Sequence, residues 1–134
     1  MKTQVAMALG SRRILKTEFG VGSQHDFSLL KQCVGRGYKR LLGSGSCWMA
    51  DLGYLGLSKI QSNVWLPHKR RKGVALGDWE KEENREHSRK RIVIEHVFGR
   101  LKVFKIIAEK YRNRRKRFDV RFNLIAAIHN FELP

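Results

Sequence analysis

Proline and cysteine are scarce in this chain, at two residues each in 134, and each shortage removes a class of protein. Two prolines, with no low-complexity linker and no internal repeat, argue against a disordered tail and for a single domain over 1–134 with a modest core. Cys33 and Cys47 stand alone rather than as a CxxC pair, which speaks against a thiolate zinc site and for two buried thiols. His25, His87, His96 and His129 have no zinc-ligand spacing. No apolar run approaches the ~18 residues of a membrane-spanning helix, and Met1-Lys2-Thr3-Gln4-Val5 lacks the apolar core of a signal peptide. The expectation is a soluble, cytoplasmic, nucleoid-associated chain with no membrane partner. Acids are also short: twelve Asp plus Glu against 28 Lys plus Arg leave a formal charge of +16 at pH 7. That excess points to a polyanionic partner, nucleic acid first, but it selects no reaction.

Periodicity and turn residues set out the order of elements. Residues 3–9 and 12–19 read as a hairpin about Gly10-Ser11. A helix is expected from His25-Asp26 to Cys33, with Asp26 as a candidate N-cap. A short strand over 47–50 ends at Asp51, followed by a helical piece near 57–60 and a strand at 63–66 closed by Pro67. The basic loop of residues 69–72 precedes a long helix over about 77–107, and a last helix spans about 120–131.

The stretch from Arg85 to Lys102 carries the chemistry. At about 100° per residue, offsets of four and eleven return to within roughly 40° of the start, so Arg91, Glu95 and Lys102 share one stripe. Val93, Ile94, Val97, Leu101 and Phe104 form the adjoining core-facing band. A carboxylate held between cations suits metal-dependent cutting of a phosphate backbone. The plainer reading is an amphipathic helix with an i,i+4 pair between Arg91 and Glu95. Asp51 divides the same way. Acids at strand ends lie where α/β folds keep their ligands, yet an Asp before Gly53 is also an ordinary turn residue.

The order Asn84-Arg85, Ser88, Arg91, Glu95-His96, Gly99, Leu101-Lys102 resembles the signature of DDE-type insertion-sequence transposases of the Harbinger-related branch. Arg91, Glu95 and Lys102 match the basic and acidic members of the related Y-R-E-K pattern, with Ser88 where that pattern has Tyr. Ala50-Asp51-x-Gly53-Tyr54-x-Gly56 resembles the segment of the family's second catalytic aspartate, with Leu52 as a departure. His25-Asp26 resembles an H-D that the family carries outside its three metal-binding acids. Lys110-Tyr111-Arg112-Asn113-Arg114-Arg115-Lys116-Arg117-Phe118 and the helix after it resemble the family's C-terminal end. By itself that run is a cationic loop suited to phosphate, or else a solvated face. In the closing helix Phe122, Ile125, Ala126, His129 and Phe131 read as the core side.

The resemblance implies a partial RNase H-like α/β fold, a mixed sheet with flanking helices, and metal-dependent cleavage and strand transfer in DNA transposition. Asp51 and Glu95 become the catalytic metal ligands for Mg²⁺ or Mn²⁺, with Arg91, Lys102, His25 and Asp26 in support. Arg112, Arg114, Arg115, Lys116 and Arg117 become DNA contacts. The implied partners are transposon ends and target DNA, together with a full-length transposase or an upstream fragment. Measured against that family, the first catalytic aspartate and an N-terminal DNA-binding region are missing, so the expectation is a truncated domain that is inactive alone. The alternatives are a catalytically silent DNA-binding fragment and a basic RNA-binding protein. The latter is disfavoured because the sequence shows no exposed aromatic stacking motif.

Overall fold

The computed structural model describes residues 1–33, 45–104 and 117–134. In chain order its elements are β1 (Lys2–Met7), β2 (Ile14–Gly20), α1 (Asp26–Cys33) and β3 (Trp48–Met49). A 3-10 helix (Leu52–Lys59), β4 (Val64–Trp65), α2 (Asp78–Leu101) and α3 (Phe118–Glu132) follow. They fall into two compact units, Met1–Ser23 with Ile92–Pro134, and Gln24–Arg91.

Mixed α/β is the class, as expected, but the described residues form two separate two-stranded sheets rather than one mixed sheet. β1 and β2 pair antiparallel, and β3 and β4 pair parallel over two residues each. The hairpin turn is longer than Gly10-Ser11. Arg12 N donates to Ala8 O at 2.9 Å, Ala8 N donates to Arg13 O at 3.0 Å, and Arg12 takes a left-handed φ of 61°. β2 therefore starts at Ile14. The pairing then steps from Ala6 with Lys16 to Met7 with Ile14, which leaves Leu15 as a bulge.

In the first unit, α3 lays Phe122, Ile125 and Ala126 against Ile14, Val97 and Leu101. Phe19 meets Phe118 and Phe122 edge to face. Only part of the band expected on the long helix is core: Val97 and Leu101 are buried, whereas Phe104 is exposed. The helix ends at Leu101, where Val103 N and Phe104 N reach back only three residues and so turn Phe104 away. The expected stretch 105–107 lies outside the described residues. Phe131 is 90% exposed, contrary to its expected place in the core, because the last turn of α3 is held by polar contacts. Asn130 clasps the backbone of Ile14, accepting its N–H at 2.8 Å and donating to its carbonyl at 2.8 Å. Buried His129 meets Arg12 O at 2.9 Å.

The second unit is built where α1 packs on the 3-10 helix. The 3-10 helix kinks at Tyr54, and on either side of the kink Gly53 and Gly56 both face α1. A Cβ at Gly56 would sit 2.3 Å from the Phe27 ring, so the missing side chain is what admits Phe27. Leu29, Leu30, Cys33 and Leu57 are buried in this unit. His87, also buried, meets Trp65 O at 3.2 Å and the Trp65 ring edge to face. Two expectations are corrected here. Cys47 is exposed while Cys33 is buried, because Cys47 lies ahead of β3 rather than inside a longer strand. Asp26 is the first residue of α1 rather than its cap, since the His25 carbonyl accepts from Leu29 N at 3.1 Å. Among the described residues no helix is long and apolar enough to cross a membrane.

Candidate functional site

β3 delivers Asp51 to its carboxyl end. Ala50 N donates to Trp65 O at 3.3 Å, the last rung of the parallel ladder, and Asp51 then leaves in an extended conformation, φ −90° and ψ −176°. Its Oδ1 accepts from Gly53 N at 3.0 Å and so caps the 3-10 helix, which is why that helix begins at Leu52, well before the 57–60 expected. Its Oδ2 stands 3.6 Å from Arg91 Nη1 on α2. The side chain remains 43% exposed and therefore accessible to a ligand.

Asp26 comes to the same place from α1. A Cβ at Gly53 would lie 2.8 Å from Asp26 Oδ2 and 3.1 Å from Asp51 Oδ1, so two carboxylates flank the bare glycine. Two anions this close invite a cation, and Arg91 supplies part of it. Carboxylate oxygens are also the donors that hard divalent ions take. By donor chemistry the pair fits Mg²⁺ or Mn²⁺, although among the described residues no three His, Cys, Asp or Glu side chains are grouped to hold an ion.

The other expected residues are distributed as follows. His25, next to Asp26, is exposed. Glu95 lies exposed on α2, one turn past Arg91, and belongs to the first unit. Lys102 is exposed in the turn after α2. Arg117 is exposed with a left-handed φ of 68° directly before α3, while Arg112, Arg114, Arg115 and Lys116 lie outside the described residues.

One feature escaped the sequence reading. Trp79, on the first turn of α2, is 64% exposed and meets edge to face the ring of His68, the residue that precedes the basic run 69–72. An exposed aromatic of this kind removes the reason for disfavouring single-strand recognition. The available signal was a Trp directly after Gly77-Asp78, a helix start, where the first turn has little core to face.

With these positions in view, comparison with known proteins supplies the class. The model of the DDE superfamily endonuclease family matches residues 1–130, and the chain belongs to that family. It is 44% identical over 133 residues to a protein of Microchaete diplosiphon named as transposase for insertion sequence element IS702. That match takes in 99% of this chain and 46% of the relative. A second relative, from Streptomyces albus G and named as transposase for insertion sequence element IS112, is 40% identical over 62 residues, 46% of this chain and 22% of the relative. The chain thus spans less than half the length of either. No solved structure matches.

Proposed function

We propose that this chain acts in DNA transposition as an RNase H-like endonuclease domain, cleaving DNA phosphodiesters and transferring strands with Mg²⁺ or Mn²⁺ held by Asp51 and Glu95. The observation that carries the reading is Asp51. It stands at the carboxyl end of a parallel strand, with its backbone fixed by a capping bond, one oxygen against Arg91 and nearly half its side chain open. The resemblance of the Arg91, Glu95, Lys102 pattern supports Glu95 as the glutamate. A divalent ion there would supply Lewis-acid polarisation of a phosphoryl oxygen. The protein's own share is to hold ligands and substrate. Gly53 N orients Asp51, Asp26 adds negative charge beside it, and Lys102 and Arg91 steady phosphate or orient Glu95. His25 is a supporting residue next to Asp26. The Arg112 to Arg117 run binds the backbone of transposon ends and target.

Titration with Mn²⁺, followed by water proton relaxation, tests the acids without requiring turnover. The wild-type chain should enhance relaxation in proportion to bound ion, and the Asp51→Ala, Glu95→Ala double variant should not. Equal binding by both would sink the assignment. Two matched acids are one short of the two aspartates and a glutamate that the resemblance implies, so duplex cleavage by these 134 residues alone should stay at background. Metal-dependent nicking that Glu95→Ala abolishes would overturn that part and make Asp26 the candidate for the third ligand.

A further inference from the structure

The carboxylate site leaves the basic loop unexplained. Lys69, Arg70, Arg71 and Lys72 follow His68 without a break. The loop is pinned by an antiparallel bridge between Arg71 and Val74 and turns at Gly73, whose φ of 77° strains any other L-residue. Loop and first turn of α2 surround a cavity of about 740 Å³, lined by the four cations, residues 74–76, His68 and Glu80. The carboxylate of Glu80 is engaged, since it accepts from Gly77 N at 2.8 Å, reaching back to the start of α2. What remains facing the cavity is mostly positive.

Trp79 touches His68 at the head of this loop, and its exposure needs a reason, because large indoles are generally well covered. It is not loosely placed. The His68 ring packs against it edge to face at 5.1 Å, and Gly77 leaves room for the indole, whose Cδ1 and Nε1 lie 3.4 Å from where a Cβ would be. His68 is itself fixed. Its Nε2 pairs with Glu83 at 2.5 Å, and its backbone exchanges two hydrogen bonds with the Asn84 amide, at 2.7 and 3.1 Å. An edge-to-face contact uses at most one face of the indole. The rest of the indole is exposed, and His68, on which it packs, lines the cavity together with the four cations.

We propose that residues 69–72 and Trp79 form a site for unpaired DNA, with backbone phosphates on the cations and one base stacked on Trp79. Cations alone would serve any polyanion, but a rigid open indole adds something only for a partner with a free π-face. Duplex DNA keeps its base faces stacked inside, whereas a single strand offers phosphate and base face together. The site rests on the nucleic-acid part of the proposed function and is independent of its metal-binding acids.

The experiment is anisotropy of a fluorescein-labelled short oligothymidine, its abasic counterpart of equal length and a duplex, all in EDTA. Wild type should prefer oligothymidine to the abasic strand by roughly tenfold, within the range of one base–aromatic stack. Trp79→Ala should abolish that preference, and Trp79→Phe should retain most of it. Tryptophan emission of wild type should be quenched by oligothymidine more than that of Trp79→Phe. Replacing Arg70 and Arg71 by Gln should flatten the single-strand salt slope by about 0.7 per lost contact. Equal affinity of wild type and Trp79→Ala for oligothymidine, or equal binding of the abasic strand, would overturn the proposal. If the duplex still binds in that case, the DNA reading survives; if no nucleic acid binds, both fall.

Discussion

Glycine carries unusual weight at two positions. Gly53 and Gly56 both face α1 from the 3-10 helix, and each lacks the atom that would collide with it. Gly56→Ala drives a methyl into the Phe27 ring, so it should cost about 1–3 kcal/mol of stability, measurable as a shift in urea midpoint at unchanged m-value. Gly53→Ala meets carboxylates instead, and its effect should fall on the ion: Mn²⁺ affinity drops as Asp26 and Asp51 are pushed apart, while the urea midpoint moves less than in Gly56→Ala. Arg91 competes with that ion for Asp51 Oδ2. Arg91→Gln should therefore tighten Mn²⁺ binding up to about fivefold, an exposed pair of this kind being worth no more than about 1 kcal/mol. Weaker binding in Arg91→Gln would instead make the guanidinium a clamp that holds Asp51 in place. Asp51 itself was legible, because a short strand, an acid and two glycines at turn spacing form a local pattern. Its partner was not. Helical spacing set Arg91 beside Glu95, and the contact with Asp51 depends on how α2 packs, which no local pattern carries.

Among the elements, two asparagines do the same job in different units. Asn130 on α3 clasps the peptide of Ile14, and Asn84 on α2 clasps that of His68. Each amide matches the donor and acceptor of a backbone segment that, among the described residues, has no strand partner on that edge. Asn130→Ala leaves an N–H and a carbonyl unpaired, which should lower stability by about 1–3 kcal/mol and speed exchange of the Ile14 amide hydrogen. Unchanged exchange at Ile14 would show that water replaces the side chain without cost. Element types were readable in the sequence, since hairpin alternation, helix starts and the 3.6-residue period are all local signals. Boundaries moved where a capping bond or a strand pairing decided them. The 3-10 helix starts early because Asp51 caps it, and β3 and β4 stop at two residues because the ladder between them is no longer than that.

For the molecule as a whole, the +16 charge makes salt the first variable in any binding measurement. Changing Arg114, Arg115 and Arg117 to Ala should flatten the dependence of log affinity for duplex DNA on log salt by up to about 0.9 per lost phosphate contact, with little change in sequence preference. An unchanged slope would mark the run as a solvated face. The division into two units was not legible, because α2 reads as one uninterrupted helix, yet the boundary falls inside it, between Arg91 and Ile92. The contrast between the two cysteines has a practical side. Cys33 is 3% exposed within its unit, whereas Cys47 is open to solvent, directly before β3. A maleimide dye should thus couple once to the native chain and twice after denaturation, which mass spectrometry would count. The single native adduct would sit directly ahead of the strand that delivers Asp51, so its emission offers an optical report on that carboxylate with no engineered residue in the chain.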